Sequence, residues 1–385
     1  MKQQVRPSRA VRTAFVVEQT LGHVTHYRNL RSYAALRTDV TPEWVPIPFA
    51  VSGPARFVPL MRSNWSVRAS WRARRALDGI QARESLDAIV FHTQVTSLFS
   101  RTHMRQTPTI VSLDATPINY DSVGAAYGHR AAGNGFLDRQ KFRLNQLALQ
   151  DAAQLVTWSE WTKRSVIDDY AIDGNKIRVL APGAAPDYFA IGERRTSEVD
   201  SSSAAGRVRL LFVGGDFQRK GGPLLLELMR DPYLAERCEL HLVTGANVQE
   251  QPNVFVHRGL QANSPELLRQ FAQADLFILP TYADCLAVVL MEATAAGLPV
   301  ITTDVGALSE AVTPGASGLL IEPGNAAALR AAVAALVDDS ARRDSMGSVG
   351  HALARAKFDA QRNNSALLDL VVDLGLAQQH TRRAA

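Results

Sequence analysis

The stretch that most constrains the fold of this chain is residues 275–302. An apolar segment at 275–279 predicts a strand, which leads into a proline and a polar turn. A short apolar helix is predicted next, ended by Gly297 and Pro299, and a second apolar strand follows. A strand, a crossover helix and a strand form the repeating unit of a parallel α/β sheet. We therefore predict an α/β protein.

Two carboxylates in this stretch indicate a ligand. Glu292 lies inside the apolar helix, where an unpaired carboxylate costs free energy, and Asp284 lies in the turn before it. Open α/β sheets bind ligands at the carboxyl edge of their strands, and a helix N-terminus there offers free N–H groups to an anion. A hydroxylated and phosphorylated ligand fits both features. The alternative is a solvated Asp284 and a Glu292 paired with a neighbouring arginine.

A second loop in the same half has the composition of a phosphate-binding loop. An apolar strand predicted for 208–213 is followed by glycines, including Gly215, and then by Arg219 and Lys220. Glycines let the backbone approach a diphosphate closely, and the two cations make charge-assisted hydrogen bonds to it. The spacing of a Walker loop is missing. Taken alone, this loop is also compatible with a solvated basic turn.

Together, the two stretches resemble a known family. The run of a carboxylate, seven residues, Glu-Ala and then Ala-Gly-Leu-Pro-Val at 284–300 resembles the Glu-x7-Glu signature of the family-4 retaining glycosyltransferases of GT-B fold. The resemblance covers most of the chain and is most specific over 210–324. Three positions differ from the family, since Asp284 replaces the usual Glu, Ala287 replaces a common Gly, and Gly215 replaces a frequent Arg.

The resemblance implies an α/β architecture of two Rossmann-like domains facing across a cleft. We expect an N-terminal acceptor-side domain at 1–190, a linker at 191–206, a C-terminal nucleotide-sugar-binding domain at 207–355, and a C-terminal helix at 356–385 that crosses back to the N-terminal domain. The serine-rich composition of the linker region supports this division. The length of 385 residues also favours two domains over one.

The activity implied by the resemblance is retaining transfer of a hexose-type sugar from a nucleotide-diphosphate sugar to an acceptor hydroxyl, on a glycan or a lipid-linked molecule. The sequence has no Asp-x-Asp motif for a divalent metal, so we expect no metal and no other cofactor. Arg219, Lys220 and the helix N-terminus at 286–288 would then neutralise the leaving diphosphate. Glu292 would accept hydrogen bonds from ribose hydroxyls, and Asp284 would contact the sugar.

Polar residues also end two apolar strands of the N-terminal half. These residues are His92 and Asp114, and a loop with Asn119 and Tyr120 follows. Long loops at a sheet edge are where acceptor sites form. Asp114, where many relatives have His, would polarise an acceptor hydroxyl or stabilise positive charge on the sugar, and its alternative role is to cap the next turn. His92 contacts an acceptor or is an ordinary hydrogen-bonded histidine at a strand end.

Two further positions complete the predicted site. Gly22 lies where the first strand becomes a helix, and the resemblance places it near the donor phosphate or the acceptor, with a plain tight turn as the alternative. The resemblance also places backbone groups near Leu260 against the nucleotide base. The predicted catalytic residues are Arg219, Lys220, Asp284 and Asp114; the donor-binding residues are Glu292, Leu286, Ala287, Val288, Leu260, Gly215 and Gly22; the acceptor-side residues are His92, Asn119 and Tyr120.

Charge is divided unevenly along the chain. Residues 1–190 hold 24 Lys and Arg against 15 Asp and Glu, whereas residues 191–385 hold 18 against 22. The N-terminal half is therefore expected to favour anionic surfaces or acidic acceptors. Its segment at 61–78, rich in arginine and tryptophan, fits a basic amphipathic helix on anionic lipid. We prefer the alternative of a surface helix whose arginine stems cover tryptophan rings.

The sequence favours a cytoplasmic protein, with peripheral contact at the inner membrane face as an option. Cys238 and Cys285 are its only cysteines, which suggests a reducing compartment, and no apolar run reaches the ~18 residues of a membrane span. The apolar run after the basic N-terminus is too short for a signal peptide. Expected partners are a nucleotide-diphosphate sugar and a glycan or lipid-linked acceptor, and no nucleic acid.

Two rival functions stay open on the sequence. The first is a hydrolase or epimerase of nucleotide sugars on the same scaffold. The second is a non-catalytic protein, either a nucleotide-sugar-binding regulator or a membrane-surface adaptor that uses the basic segment. The departures at Asp284 and Ala287 are what keep the second alternative open.

Overall fold

The computed structural model describes residues 9–20, 22–50, 64–128, 131, 133, 135–197 and 206–384. Its strands are β1 (Val11–Gln19), β2 (Val40–Pro48), β3 (Ala88–His92), β4 (Thr109–Leu113), β5 (Gln154–Thr157), β6 (Ile177–Val179), β7 (Val208–Val213), β8 (Cys238–Val243), β9 (Val254–His257), β10 (Leu276–Leu279), β11 (Val300–Thr303) and β12 (Gly318–Ile321).

The α-helices alternate with these strands. They are α1 (His23–Ala34), α2 (Trp65–Gln81), α3 (Arg101–Gln106), α4 (Pro117–Val123), α5 (Phe136–Asp151), α6 (Glu160–Asp168), α7 (Pro186–Ser197), α8 (Gly222–Leu228), α9 (Pro232–Arg237), α10 (Pro265–Gln273), α11 (Val288–Ala295), α12 (Ala326–Val337), α13 (Ser340–Lys357) and α14 (Ala360–Ala384). Short 3-10 helices lie at Gln94–Thr96, Gly124–Tyr127, Gly174–Lys176 and Leu308–Glu310.

The strands form two six-stranded sheets in which neighbouring strands are parallel. The strand order is β2-β1-β3-β4-β5-β6 in the first sheet and β12-β11-β10-β7-β8-β9 in the second. The chain divides into one compact unit of residues 1–118, 132–180 and 362–385 and another of residues 119–131 and 181–361. Each unit holds one sheet, so the predicted α/β class with two Rossmann-like domains is confirmed. None of the helices in the described part of the chain is long and apolar enough to cross a lipid bilayer.

The first sheet is covered by apolar side chains on both faces, as expected of a parallel sheet. Helix α2 covers one face with residues such as Leu77, which joins the buried cluster around Phe91. Helix α14 covers the other face, where Val371 packs in the cluster that contains Phe15. The C-terminal helix therefore packs on the N-terminal sheet, as predicted.

The predicted linker is not where the chain changes unit. The first unit ends at Leu180 and the second begins at Ala181, before the linker predicted at 191–206. Helix α7 continues into that region, and residues 198–205 lie outside the described part of the chain. The helix belongs to the second unit because Tyr188 is buried there and packs edge-on against Phe271 of α10. The serine-rich composition gave no sign of this buried helix.

Candidate functional site

The two loops predicted to hold the donor lie side by side, because β7 and β10 are neighbours in the second sheet. Gly221 of the first loop has φ +79°, and a Cβ atom there would lie 2.0 Å from the carbonyl oxygen of Pro280 in the second. The Thr281 hydroxyl and the Tyr282 N–H donate hydrogen bonds of 3.2 Å and 2.9 Å to the carbonyl oxygen of Arg219. The two loops are therefore fixed to each other through their backbones.

Replacing Gly221 should test this contact. We expect Gly221→Ala to lower the thermal unfolding temperature, because a positive φ costs a non-glycine residue roughly 1–3 kcal/mol and the new methyl group would overlap Pro280. Gly215→Ala is the matched control, since a Cβ at Gly215 has no atom within 4 Å. Equal unfolding temperatures for the two variants, measured by differential scanning fluorimetry, would contradict the expectation.

Arg219 is buried at the centre of these loops and remains charged. Its guanidinium donates to Asp216 Oδ2 at 3.0 Å and to the carbonyl oxygen of Ala283, and it lies 3.5 Å from Asp284 Oδ2. Burial opposes the charge, but Asp284 and the other acidic neighbours outweigh it and raise the pKa of Arg219. Lys220 Nζ lies 3.4 Å from the same Asp284 oxygen. Two cations thus meet at one carboxylate, and Lys220 is the more accessible of them.

An aromatic residue that the sequence did not single out completes this group. The ring centroid of Tyr127 lies 4.2 Å from the Arg219 guanidinium, in a cation–π contact. Tyr120 packs against Tyr127 with ring centroids 5.1 Å apart. Both tyrosines and Asn119 come from residues 119–131, which belong to the second unit. The prediction that placed Asn119 and Tyr120 in the acceptor-side domain is therefore wrong.

Glu292 is a buried carboxylate in α11, as its apolar surroundings in the sequence indicated. Burial raises its pKa to about 7, although Lys220 acts in the opposite direction. Within the described part of the chain no donor is hydrogen-bonded to this carboxylate, so the alternative of a Glu292 paired with a neighbouring arginine is not observed. A buried acceptor that lacks a protein partner is suited to a ligand's hydroxyl groups.

The other predicted donor-binding residues occupy three places. Leu286 and Ala287 are buried directly before α11, and Val288 is its first residue, so their N–H groups lie at the start of the helix. Gly215 is exposed after β7. Leu260 lies in the loop after β9, the outermost strand. No described contact joins Gly215 or Leu260 to the group around Arg219.

A second polar group lies in the first unit, where β1, β3 and β4 end beside one another. His23, at the start of α1, lies between two carboxylates. Its Nε2 is 3.3 Å from Glu18 Oε1 and 3.7 Å from Asp114 Oδ2, and its Nδ1 is 2.7 Å from Nε2 of His92. The structure therefore brings the predicted residues His92 and Asp114 into one group.

Burial controls the ionisation of this group. It lowers the pKa of His26 to about 3 and that of His92 well below its usual value, and the nearby His23 adds to both shifts. Burial also raises the pKa of Asp114 despite His23, and Glu18 adds to the rise. Glu18, His23 and His26 are not among the residues predicted from the sequence. A usable signal was present, because Glu18 follows an apolar strand just as His92 and Asp114 do.

Gly22 lies directly before helix α1, which contains His23 and His26. It is exposed, and its carbonyl oxygen accepts a 3.2 Å hydrogen bond from the backbone N–H of His26.

Among the residues that the structure describes, no set of three or more His, Cys, Asp or Glu side chains has an arrangement that could hold a metal ion.

The sequence of the second unit matches a known family. Residues 207–339 match the profile described as Glycosyl transferases group 1. The match to this family's profile is confined to that segment of the chain. The chain is 30% identical over 233 residues to a D-inositol 3-phosphate glycosyltransferase of Arthrobacter sp. (strain FB24), a match that covers 57% of this chain and 55% of the relative. The chain therefore spans about half the length of the curated relatives it matches.

Several solved structures share the fold of the chain. Sucrose-phosphate synthase from Thermosynechococcus elongatus superposes with a TM-score of 0.73 at 16% identity, over 96% of this chain and 100% of the other. Anabaena HepE in complex with UDP-glucose superposes with a TM-score of 0.63 at 14% identity, over 94% and 99%. At these identities the likeness concerns the fold alone, and the predicted GT-B fold is confirmed.

Proposed function

We propose that the chain is a glycosyltransferase that moves a hexose-type sugar from a nucleotide-diphosphate sugar to an acceptor hydroxyl with retention of anomeric configuration. One observation carries the proposal. Arg219 and Lys220 meet at Asp284 beside the start of α11, and that helix contains the unpaired Glu292, all within the glycosyl transferases group 1 segment. Cations, a helix N-terminus and a buried acceptor are the groups that a diphosphate joined to a ribose requires.

Each of these groups has a role in the proposed reaction. Arg219, Lys220 and the N–H groups at 286–288 stabilise the negative charge that develops on the leaving diphosphate, with no metal expected. Glu292 accepts hydrogen bonds from the ribose hydroxyls, and Asp284 accepts them from the sugar. The buried position of Arg219, held by Asp216, means that its guanidinium is already oriented before the donor binds.

The proposed transfer forms a bond between the acceptor oxygen and the anomeric carbon. The acceptor attacks from the face that the diphosphate leaves, while the bond from that carbon to the phosphate oxygen breaks. The acceptor proton passes to an oxygen of the departing diphosphate. This route requires no covalent intermediate on a second carboxylate, unlike retaining hydrolysis with paired carboxylates.

The donor proposed for the first trials is UDP-glucose, because the Anabaena structure with the same fold is a complex with that molecule. A glycan or lipid-linked acceptor is the accompanying proposal. Both choices rest on relatives rather than on contacts in this chain.

The alternative of a non-catalytic membrane-surface protein depends on α2. Arg68 is buried and donates to the carbonyl oxygen of Phe49 at 3.0 Å, and Arg72 donates to that of Pro48 at 2.7 Å. These arginines tie α2 to the end of β2, which supports the interpretation as a surface helix. Peripheral contact with an anionic membrane therefore remains a proposal that rests on the exposed Trp71 and its neighbour Arg75.

The experiment that tests the proposed function is a thermal-shift panel of UDP, GDP and ADP and their sugars, followed by assays of nucleotide release. We expect at least one nucleoside diphosphate to raise the unfolding temperature, since a ligand at 100 times its Kd adds about 2.7 kcal/mol to the stability of the native state. The matching donor should release nucleotide only when an acceptor is added. Release without an acceptor would indicate a hydrolase, and a flat response to every nucleotide would contradict the proposal.

A further inference from the structure

The polar group of the first unit carries information about the acceptor. We call it the acidic-histidine cluster and define it as Glu18, His23, His26, His92 and Asp114. Both carboxylate oxygens of Glu18 already accept hydrogen bonds, from the hydroxyls of two threonines at 2.8 Å and 3.0 Å, and Glu18 also lies 3.3 Å from His23. The Asp114 carboxylate has one ion-pair contact in the described chain, with Nε2 of His23 at 3.7 Å. Asp114 is therefore the carboxylate of the cluster that is placed to meet a ligand.

Buried polar atoms without partners also mark the cluster. His26 is only 4% exposed, and neither of its ring nitrogens has a hydrogen-bond partner within the described residues. Its ring lies 4.9 Å from that of His92, so it belongs to the same group. The Gln94 side chain is similarly buried and donates to the carbonyl oxygen of Ala115, next to Asp114, while its own Oε1 has no partner there. Such atoms are rare inside proteins and are suited to a ligand that brings hydrogen-bonding groups.

The cluster holds two carboxyl groups and no lysine or arginine. Burial lowers the pKa values of His26 and His92, so both rings are neutral at neutral pH, and His23 is the one group of the described chain that lies within ion-pair distance of Glu18 and Asp114. No lysine or arginine of the described chain forms an ion pair with either carboxylate. The positive excess of the N-terminal half lies elsewhere, for instance in the arginines of α2. The acidic acceptor expected from overall charge therefore does not fit the local charge.

We infer that the acceptor presents uncharged hydroxyl groups to the acidic-histidine cluster, as a sugar or polyol does, and that an acceptor with a phosphate at this position is disfavoured. The inference rests on the proposed function and names the acceptor class for it. Carboxylate oxygens accept hydrogen bonds from hydroxyls, and neutral imidazoles both donate and accept them. A phosphate would instead place like charges beside Glu18 and Asp114, which disfavours its binding there.

This acceptor class separates the chain from the relatives that it matches. Those proteins are named for D-inositol 3-phosphate, a phosphorylated polyol. The difference would arise from two side chains in the first unit, Glu18 and Asp114, and not from the group 1 segment that carries the sequence match.

The test uses matched acceptor pairs that differ by one phosphate, namely myo-inositol with inositol 3-phosphate and glucose with glucose 6-phosphate. Binding is measured as thermal shift in the presence of the nucleotide found by the panel, and transfer as initial rate. We expect the uncharged member of at least one pair to bind or react about tenfold better than its phosphate. Equal or stronger binding of the phosphorylated members, or no protection by any uncharged member, would overturn the inference.

Two substitutions test whether the acidic-histidine cluster causes the preference for uncharged acceptors. Asp114→Asn removes the charge from a partly exposed side chain, and it should reduce the preference for the uncharged member by strengthening the binding of its phosphate. Glu18→Gln should act in the same direction, and it serves as the second variant should Asp114→Asn fail to fold. Asp168→Asn removes an exposed carboxylate of the same unit and should leave the preference unchanged. A preference that neither cluster variant alters would also overturn the inference.

Nucleotide binding separates the failure of this inference from the failure of the proposed function. The nucleotide is assigned to residues of the second unit, so both cluster variants should keep its thermal shift. If no nucleotide binds the wild type, the proposed function fails, and the acceptor pairs are then compared by thermal shift without nucleotide, which still reports on the cluster. If nucleotide binds and the phosphorylated acceptors prevail, the inference alone fails.

Discussion

Lys220→Ala is expected to lower kcat/KM for sugar transfer by roughly 100- to 1000-fold, the usual effect of removing one group that stabilises developing negative charge. Lys220 Nζ lies 3.4 Å from Asp284 and is more accessible than the buried Arg219. It can therefore reach a diphosphate without unfolding the loop. Affinity for the nucleoside diphosphate should fall by roughly 10- to 100-fold, since a hydrogen bond to a charged group is worth about 1.5–3 kcal/mol.

Lys220 is a better target than Arg219 because the two cations differ in structural role. Arg219 donates to Asp216 and to the carbonyl oxygen of Ala283, so its removal would also disturb the loop. Lys220 is paired with Asp284 alone in the described contacts. Arg237→Ala is the matched control, because it removes an exposed cation of the same unit whose contacts are with Tyr233 and Glu236.

The measurements for Lys220→Ala are steady-state kinetics and nucleotide titration calorimetry. Lys220→Arg should restore part of the affinity, since it keeps the charge. Nucleotide affinity that stays at the wild-type value in Lys220→Ala would remove the lysine from the diphosphate site. Equal losses in Lys220→Ala and Arg237→Ala would indicate a general charge effect instead.

The grouping of Arg219 and Lys220 with Asp284 could be predicted because each of the two loops follows an apolar strand and has a recognisable sequence pattern of its own. A strand, a glycine-rich basic turn and a helix with an internal carboxylate indicate which chemistry meets at a parallel sheet edge, and Arg219, Lys220 and Asp284 are in fact in contact. Tyr127 could not be found in this way. It reaches Arg219 from a segment more than ninety positions earlier in the chain, and only the tertiary structure shows that this segment belongs to the second unit.

The acidic-histidine cluster could be predicted only in part, for a related reason. The sequence identifies His92 and Asp114 as polar residues at strand ends, but their grouping depends on the order β1-β3-β4 in the sheet, which no motif encodes. His23 joins them from the first turn of α1, where its sequence neighbours give no sign of the two carboxylates around it. The predicted linker at 191–206 differs from the observed unit boundary for another reason. Helix α7, which contains the buried Tyr188, leads directly into the serine-rich segment, so composition alone suggests a linker there.

Glu292→Gln should stabilise the protein above neutral pH and at the same time weaken nucleotide binding. Burial raises the Glu292 pKa from an ordinary 4.5 to about 7. Between these values the folded state binds more protons than the unfolded state, so the stability of the wild type falls as pH rises from about 4.5 to about 7. The loss amounts to at most about 3 kcal/mol. A glutamine has no such loss, so the variant should unfold at a higher temperature than the wild type at pH 8, with a difference that shrinks towards pH 5.

Nucleotide affinity should show the opposite pH dependence to stability, because the proposed contact with ribose hydroxyls needs an ionised carboxylate at Glu292. Wild-type affinity should therefore rise as pH increases through 7, with a proton released on binding. Glu292→Gln should bind roughly 10- to 100-fold more weakly at pH 8 and lose this pH dependence. Lys220 opposes the rise in the Glu292 pKa, so Lys220→Ala should move the midpoint of the wild-type profile to higher pH. Thermal unfolding and calorimetry from pH 5 to 9 test both effects, and a Glu292→Gln variant with wild-type affinity at pH 8 would show that this carboxylate does not contact the nucleotide.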